Sequence, residues 1–132
     1  PCIEAGVTTL VHTSDDLERL VDAVDSPAMA VNLDPANLVM GGQDPVEAVR
    51  RLGSRIIHTH AKDAVRTPDG GRKEVPLGDG QVPWKEYLSA LKANGYKGYL
   101  CIEREVGEDP RSDIEVAARR LREYLAGLGE EG

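Results

Sequence analysis

Four titratable side chains follow apolar, strand-like segments of this chain, and their types and spacing are suited to binding a cation. They are Glu4, Asp34, His60 and Glu103. Side chains alternate between the two faces of a strand, so each of the four shares a face with the residue two positions before it. Three carboxylates and an imidazole on one face would be costly to bury unless something positive lay between them. The pattern therefore predicts a site for one divalent metal ion.

The donor set narrows the choice of metal without identifying it. Mostly oxygen ligands with one imidazole suit Mn²⁺, Mg²⁺, Co²⁺ or Zn²⁺. Glu105 has the strand parity of Glu103 and competes for the same assignment, but Glu103 is preferred because it ends the apolar run. His58 precedes His60 by two residues, so it is expected one row deeper, where it supports the ligands instead of binding the ion.

Apolar runs alternate four times with helix-period stretches, and these elements must position the candidate ligands. Such alternation is typical of βα units around a parallel sheet. The expected strands are residues 1–6, 28–34, 55–61 and 98–105, and the expected helices are residues 13–24, 44–53, 83–95 and 109–128. Each candidate ligand then stands towards the carboxyl end of its strand.

Local signals mark where the first two helices begin and end. Thr13 or Ser14 is the expected N-cap of the first helix. Asp44 is the expected N-cap of the second, with Pro45 at the first helical position and Gly53 after the last turn. Inward-facing stripes are predicted at Leu17, Leu20, Val21 and Val24 in the first helix, and at Ile114, Ala117, Ala118, Leu121 and Leu125 in the last.

A long polar segment, residues 62–82, separates the third strand from its helix. Connections of this length are uncommon and are often lids or binding loops. Lys62, Asp63 and Arg66 open the segment, where they could hold hydroxyl or phosphate groups of a substrate. Asp63 is also expected, like His58, to support the ligands from behind. Its glycine-rich end, GDGQVPW, is predicted to be a turn because no strand precedes it, as a phosphate loop would require. Trp84 and Tyr87 are expected to pack in the core.

The number of units predicts the fold class. A closed (β/α)₈ barrel needs eight βα units and about 250 residues, so four units form half of one. An open doubly wound sheet is the alternative, but it usually carries a glycine-rich phosphate loop after its first strand, and EAGVTTL has no such fingerprint. We therefore expect an α/β half-barrel, with the candidate ligands at its carboxyl-terminal mouth, where barrel active sites lie.

Charge and apolar pattern argue against several classes of partner. The 132 residues carry a net charge of −7, which opposes nucleic acid and anionic membrane surfaces. The sequence has no run of about 18 apolar residues, so no membrane span is expected. Cys2 and Cys101 lie inside strand-like runs, and both are predicted to be reduced and buried, as in a cytoplasmic protein.

Four segments in chain order carry a family resemblance that covers nearly the whole sequence: CIE, NLDPAN, HTHAKDAVR and IERE. Together they resemble the last four units of the xylose isomerase-like TIM barrel family of sugar and sugar-phosphate isomerases and epimerases. The resemblance implies that residues 1–132 are one partial domain, the C-terminal half of the barrel with strands five to eight and their helices. It also implies that the metal ligands are Glu4, Asp34, His60 and Glu103.

The resemblance implies a reaction as well. In the ketose 3-epimerase branch, the two metal-bound glutamates, here Glu4 and Glu103, also move the proton as general base and acid. An arginine six residues after the strand-seven histidine contacts substrate, and Arg66 has that spacing. A substrate-contacting histidine of that branch is replaced here by Asn37. The expected enzyme is a metal-dependent isomerase or epimerase of a small polyol, sugar, sugar phosphate or hydroxy acid, acting through an enediolate held on the metal.

Two other functions stay open from the sequence. A barrel nuclease of the endonuclease IV kind shares the fold, but its zinc cluster needs more than the three histidines of this chain, and DNA is repelled by the acidic charge. A non-catalytic half-barrel would pair with itself as a homo-oligomer, or with a missing half, because its outer strand edges are unpaired. The half-barrel on its own is expected to be inactive.

Overall fold

A computed structural model describes residues 1–130 of the chain. In chain order its elements are β1 (Cys2–Ile3), α1 (Ser14–Val24), β2 (Ala30–Leu33), α2 (Pro35–Met40), α3 (Pro45–Leu52), β3 (Ile56–Ala61), β4 (Asp63–Arg66), β5 (Arg72–Val75), α4 (Trp84–Ala93), β6 (Leu100–Ile102) and α5 (Pro110–Glu130). Strands β1, β2, β3 and β6 form one parallel sheet in that spatial order. The predicted run of four βα units is therefore confirmed.

A β-bulge in β3 sets the direction of its histidines. Val31 pairs with Ile56 and Asn32 with His58, so Ile57 is an extra residue in the ladder. Beyond the bulge, the alternation of side chains places His58 opposite Asn32 on the face of the sheet that carries the candidate ligands. The bulge therefore keeps β3 in register with β2 at the carboxyl end.

The helices cover the other face of the sheet and build the core there. Val31 and Leu33 are buried beneath them. Thr59 of β3 points the same way, and its hydroxyl donates to the carbonyl of Leu33 at 2.7 Å. The indole of Trp84 meets the ring of Tyr87 edge-on, with centroids 5.9 Å apart, and both side chains are buried. Their predicted role in packing is confirmed.

The N-terminus of α1 is closed by a reciprocal pair of hydrogen bonds. The Thr13 hydroxyl accepts from the backbone N–H of Asp16 at 3.0 Å, and the Asp16 carboxylate accepts from the N–H of Thr13 at 3.0 Å. This is the capping box that compensates the unpaired amides of a first helical turn. Thr13, the first of the two predicted candidates, is thus the N-cap.

Replacing Thr13 with alanine should lower the free energy of unfolding by about 1 kcal/mol, because the N–H of Asp16 loses its acceptor. Urea denaturation followed by circular dichroism measures the change. Thr13→Ser keeps the hydroxyl and serves as the control, for which we expect most of the stability to be retained. Equal losses in both variants would mean that packing of the threonine methyl, and not the cap, stabilises this end of α1.

Helix α3 has the predicted ends. The Asp44 carboxylate accepts from the N–H of Val46 at 2.8 Å, and Pro45 occupies the first helical position. Gly53 follows the last residue with a φ of 56°, a left-handed value that favours glycine. A short 3₁₀ turn, Gly53–Arg55, then leads into β3.

The apolar stripe of α5 is only partly inward-facing. Ala117 and Leu121 are buried, whereas Ile114 and Leu125 are 40% and 47% exposed, so the prediction of a fully buried stripe is wrong for these two. The physical reason is that α4 packs on one flank of α5, and no described element covers the other. The exposed end of the α1 stripe, Val24, shows the same effect.

Within residues 1–130, none of the helices combines the length and apolarity needed to cross a membrane.

Both cysteines depart from the sequence-based expectation. Cys2 and Cys101 are free thiols, but they are exposed, so the prediction of burial is wrong. They lie on the outermost strands of the sheet, on the face opposite the helices. No described segment packs over this face at either edge, which leaves the first row of side chains open.

The segment after β3 contains a β-hairpin, which corrects the expectation of an irregular loop. Strand β4 pairs antiparallel with β5, and the N–H of Thr67 donates to the carbonyl of Gly71 at 2.9 Å to close the turn. Gly70 has a φ of 90°, as glycine-containing hairpin turns require. The sequence TPDGG between residues 67 and 71 is a turn signal that could have identified the hairpin. Beyond it, the GDGQ part of GDGQVPW forms the predicted turn, and Trp84 begins α4.

Candidate metal centre

The structure brings the four predicted ligands together around the imidazole of His60. Its Nδ1 lies 3.4 Å from Oε1 of Glu4, 3.4 Å from Oδ2 of Asp34 and 3.3 Å from Oε2 of Glu103. Ligand atoms of Glu4, Asp34 and His60 all lie within 4.8 Å of one another. Each residue comes from a different strand end of the parallel sheet, as the parity of side chains predicted.

The surrounding charges make His60 a strong base. The carboxylates of Asp34 and Glu4 raise the pKa of its imidazolium to about 10, and burial opposes them only in part. The proton on Nδ1 thus places a positive charge between three carboxylates. A metal ion binds the neutral imidazole, so a divalent cation would take the place of this proton.

The two carboxylate oxygens of Asp34 have different contacts, one in the local fold and one at the candidate metal centre. Its Oδ1 accepts from the N–H of Asn37 at 3.0 Å, which makes Asp34 the N-cap of α2. Its Oδ2 faces His60 instead. The helix α2, which the sequence analysis overlooked, therefore fixes the rotation of this carboxylate.

Replacing Asp34 with asparagine should separate these two tasks. Asparagine is as good an N-cap as aspartate, so α2 should persist. The loss of the charged oxygen should weaken Mn²⁺ binding by about 100-fold or more, because even residues that only support the ligands contribute about 10- to 100-fold to metal affinity. Titration calorimetry measures the affinity. Asp44→Asn, the same exchange at the N-cap of α3, is the matched control and should bind Mn²⁺ as the wild type does. Unchanged affinity in Asp34→Asn would exclude Asp34 as a ligand.

Two asparagines hold the carboxylate of Glu4. Asn32 donates from Nδ2 to Oε2 at 2.7 Å, and Asn37 donates from Nδ2 to Oε1 at 3.1 Å and to the carbonyl of Ala5. Asn37 thus lies at the centre, as predicted, and contacts Glu4. The role of Asn32 was missed, although it precedes Asp34 by two residues and its parity places it on the same face.

One polar atom beside the ligands has no partner. In the part of the chain that the structure describes, Oδ1 of Asn32 is buried without a hydrogen bond. Its amide nitrogen lies 3.4 Å from Nε2 of His60, so this side chain stands between the imidazole and Glu4. An unpaired buried acceptor is costly, and a donor from a bound water or substrate hydroxyl would satisfy it.

Lys62 lies above His60 and is almost completely buried, with 3% of its surface exposed. Its Nζ donates to Oε2 of Glu103 at 3.1 Å and to Glu105, and it lies 3.8 Å from Oδ2 of Asp34 and 3.7 Å from Oε2 of Glu74. Burial favours the neutral amine, but the carboxylates of Glu105, Asp34 and Glu103 outweigh it and raise the pKa of Lys62 above its ordinary value.

The carboxylates around Lys62 belong to three different elements. Glu74 comes from the hairpin strand β5, and its Oε1 accepts from Arg104 at 2.8 Å. Arg104 also donates to Asp113 of α5 at 2.7 Å. Glu103 contacts His60 as well as Lys62, whereas Glu105 contacts Lys62. The structure therefore favours Glu103 over Glu105 as the candidate metal ligand. Glu74 was missed because the hairpin that delivers it was missed.

Asp63 is not brought to the centre. Its side chain points to the opposite side of the chain from Lys62, where it is 1% exposed. It accepts from the backbone N–H groups of Gly78, Gly80 and Val82 and from the indole N–H of Trp84, at 2.9 to 3.3 Å. Asp63 therefore fastens the end of the long connection to the base of the hairpin.

Arg66 and His58 lie at different distances from the ligands. The exposed guanidinium of Arg66 packs against Gly42, where any Cβ would overlap it, and the residue lines a surface cavity of about 510 Å³ beside Gln43 and Asp44. The structure thus directs Arg66 towards α3.

The ring of His58 meets that of His60 edge-on, with centroids 5.8 Å apart. His58 therefore lies in the row below the candidate ligands, where it was expected.

The donor set fits a hard or borderline divalent cation. Carboxylate oxygens with one imidazole are the ligands that Mg²⁺, Mn²⁺, Co²⁺ and Zn²⁺ accept in proteins. The ligand atoms converge from rigid strand ends, and Asn32 and Asn37 orient the Glu4 carboxylate. The convergent carboxylates also carry excess negative charge that a cation would neutralise.

The sequence of the chain is similar to one protein family and to several known proteins. A family model of the xylose isomerase-like TIM barrel matches residues 2–124. The protein YfiH of Bacillus subtilis strain 168, whose function is uncharacterised, is 34% identical over 94% of this chain and 46% of its own length. An inosose dehydratase of Clostridium perfringens is 28% identical over 89% of the chain and 44% of its own length.

Solved structures agree with the fold. A xylose isomerase domain protein from Planctomyces limnophilus superposes with a TM-score of 0.80 at 31% identity, over 96% of this chain and 45% of its own. A D-tagatose 3-epimerase-like protein gives a TM-score of 0.76 at 28% identity, over 97% and 47%. The chain thus spans about half the length of the proteins it matches, which agrees with the predicted half-barrel.

Proposed function

Because the chain belongs to the xylose isomerase-like TIM barrel family, we propose that it is part of a metal-dependent enzyme that moves a proton next to the carbonyl group of a sugar-like substrate. The relatives with named activities are sugar-processing enzymes. We also propose that residues 1–132 form one partial domain, corresponding to strands five to eight of the barrel. The convergence of Glu4, Asp34 and Glu103 on Nδ1 of His60 is the observation that carries the proposal.

The proposed metal ligands are Glu4, Asp34, His60 and Glu103, and the ion is one of Mn²⁺, Mg²⁺, Co²⁺ or Zn²⁺. When bound, such an ion supplies Lewis acidity, which makes the C–H bond beside a carbonyl easier to break. The residues of this chain provide the proton transfer itself. They also hold the donor groups in place, since Asn37 fixes Glu4 and Lys62 fixes Glu103.

Glu4 and Glu103 are the proposed base and acid. They come from the two outer strands of the sheet and approach His60 from either side. One glutamate takes the proton from the carbon, and the electron pair of the C–H bond moves towards the carbonyl oxygen. The other glutamate returns a proton to the opposite face of the same carbon for epimerisation. For isomerisation the proton goes to the neighbouring carbon, and the hydroxyl proton of the first carbon moves to the former carbonyl oxygen, so that the first carbon becomes the new carbonyl.

A dehydratase is the second candidate, favoured by the likeness to inosose dehydratases. It begins with the same removal of a proton beside the carbonyl. The electron pair then expels a hydroxyl from the next carbon, so that water leaves and a double bond forms. In this reaction Glu4 or Glu103 removes the proton, and the other glutamate protonates the departing hydroxyl.

The substrate side of the centre is proposed from the groups that face it. Asn37, which is half-buried beside Glu4, suits a hydroxyl group of a polyol. Lys62 was expected to hold substrate as well, but its ammonium is engaged by carboxylates. Arg66 lines the separate cavity near Gly42, and a substrate contact from it requires the side chain to turn.

A barrel nuclease fits less well. His60 is the imidazole at the ligand row, His58 lies below it, and His12 is exposed at the start of α1, so the described histidines do not form a multi-zinc cluster. The net charge of −7 opposes DNA. We expect no salt-dependent binding of duplex DNA in a filter assay, and such binding would favour the nuclease.

Solvent-deuterium exchange tests the proposal. The protein that carries these residues is incubated with Mn²⁺ in D₂O, with inosose and D-tagatose as probes, and proton NMR follows the loss of the C–H signal beside the carbonyl. We expect exchange that stops when a chelator removes the metal. A product that has lost one water identifies a dehydratase, and a new diastereomer whose carbon-bound hydrogens differ from the substrate's only by the incorporated deuterium identifies an epimerase. Full exchange after chelation would contradict the metal-dependent mechanism.

A further inference from the structure

Lys62 has a position that the proposed proton transfer does not explain. Its ammonium is buried, and within residues 1–130 both of its hydrogen bonds go to carboxylates, those of Glu103 and Glu105. It is enclosed by carboxylates of Asp34, Glu74, Glu103 and Glu105, with its nitrogen 3.1 to 3.8 Å from three of them and in closer contact with Glu105.

Two of these carboxylates are shared with the metal centre. Oε2 of Glu103 lies 3.3 Å from Nδ1 of His60 and 3.1 Å from Nζ of Lys62. Oδ2 of Asp34 lies 3.4 Å from Nδ1 of His60 and 3.8 Å from the same Nζ. Carboxylates that bridge two cation positions in this way are the usual arrangement of two-metal sites, whose ions lie about 3.5–4 Å apart.

We propose that the ammonium of Lys62 occupies the place of a second cation and thereby limits the centre to one divalent ion. This inference rests on the proposed metal centre. Charge balance supports it for the carboxylates that face His60, because those of Glu4, Asp34 and Glu103 are neutralised by one divalent ion together with one ammonium. Glu105 also contacts Lys62, but its side chain is 62% exposed, so solvent screens its charge. Glu74 lies 2.8 Å from Arg104, which it shares with Asp113.

The consequence is a restriction on chemistry. One divalent ion is enough to polarise a carbonyl for the proposed proton transfer, whereas a pair of ions would also be able to hold the attacking and leaving oxygens of an in-line displacement. Lys62 would therefore be a positioning residue that keeps the centre within the proton-transfer class. It does so without contacting the reacting atoms.

Metal stoichiometry tests the inference without relying on activity. Lys62→Met removes the charge and keeps much of the length of the side chain, and Lys62→Arg keeps the charge. With Mn²⁺ in calorimetry and electron paramagnetic resonance, we expect one ion in the wild type and in Lys62→Arg. We expect two ions and a spin-coupled spectrum in Lys62→Met, because the freed carboxylates bind a second Mn²⁺.

A remote substitution controls for net charge. Lys85→Met, on the exposed side of α4, lowers the positive charge by the same amount and should still bind one ion. Lys62→Gln replaces Lys62→Met if the latter does not fold, as judged by circular dichroism. One ion in the folded uncharged variants overturns the inference and leaves the proposed function standing. A spin-coupled pair in the wild type also overturns it, and absence of Mn²⁺ from the wild type overturns both.

Discussion

Replacing Glu103 with glutamine should slow deuterium exchange beside the substrate carbonyl by about 100- to 10,000-fold, the usual contribution of a positioned general acid or base. The amide keeps an oxygen for the metal but cannot carry a proton at neutral pH. Glu4→Gln should show a loss of the same order, because the two glutamates act on the same carbon from either side. Proton NMR in D₂O with saturating Mn²⁺ measures both rates.

The controls separate chemistry from metal loss. Mn²⁺ content is measured in each variant, so that a slow variant with full metal identifies a proton-transfer defect. Glu108→Gln, an exposed carboxylate in the loop before α5, should exchange at the wild-type rate. Wild-type exchange in both Glu4→Gln and Glu103→Gln would remove the two glutamates from the mechanism.

Replacing Asp63 with alanine should lower the free energy of unfolding by about 4 kcal/mol, because four N–H groups of the long connection and α4, in buried or part-buried hydrogen bonds, would lose their acceptor at about 1 kcal/mol each. These groups belong to Gly78, Gly80, Val82 and Trp84. A loss of this size is a large part of the stability of an ordinary domain. Urea denaturation, followed by the fluorescence of Trp84, reports the change at the site itself.

Asp69→Ala is the matched control for this substitution. Asp69 is an exposed carboxylate in the same connection, and it binds only within its own turn, to Thr67 and Gly71. We expect its removal to cost about 1 kcal/mol or less. Equal losses in the two variants would show that Asp63 contributes no more than an ordinary turn residue.

The helices could be predicted because their signals are local. Caps at Thr13 and Asp44 act within a single turn, and the apolar spacing of α1 and α3 needs no knowledge of the rest of the fold. Helix α2 was overlooked because six residues are too few to show a period. The prediction that Ile114 and both cysteines are buried was wrong. Burial depends on which elements pack over a surface, and the periodicity of a sequence carries no information about that.

The convergence of Glu4, Asp34 and Glu103 on His60 could be predicted for a similar reason. Strand parity sets which side chains share a face, and parallel strands bring their carboxyl ends to one edge. Parity also indicates that Asp63, an odd number of residues after His60, points away from the centre. The surroundings of Lys62 could not be predicted, because Glu74 arrives there only through the pairing of β4 with β5.

The separation between the anchor of the hairpin and its tip has a consequence for protein engineering. Asp63 secures the base of the hairpin, whereas residues 67–71 form an exposed turn held by bonds among themselves. Extra residues inserted at this turn would extend outwards without displacing the anchor. The hairpin tip is therefore a suitable point at which to graft a recognition loop while the candidate metal centre is left in place.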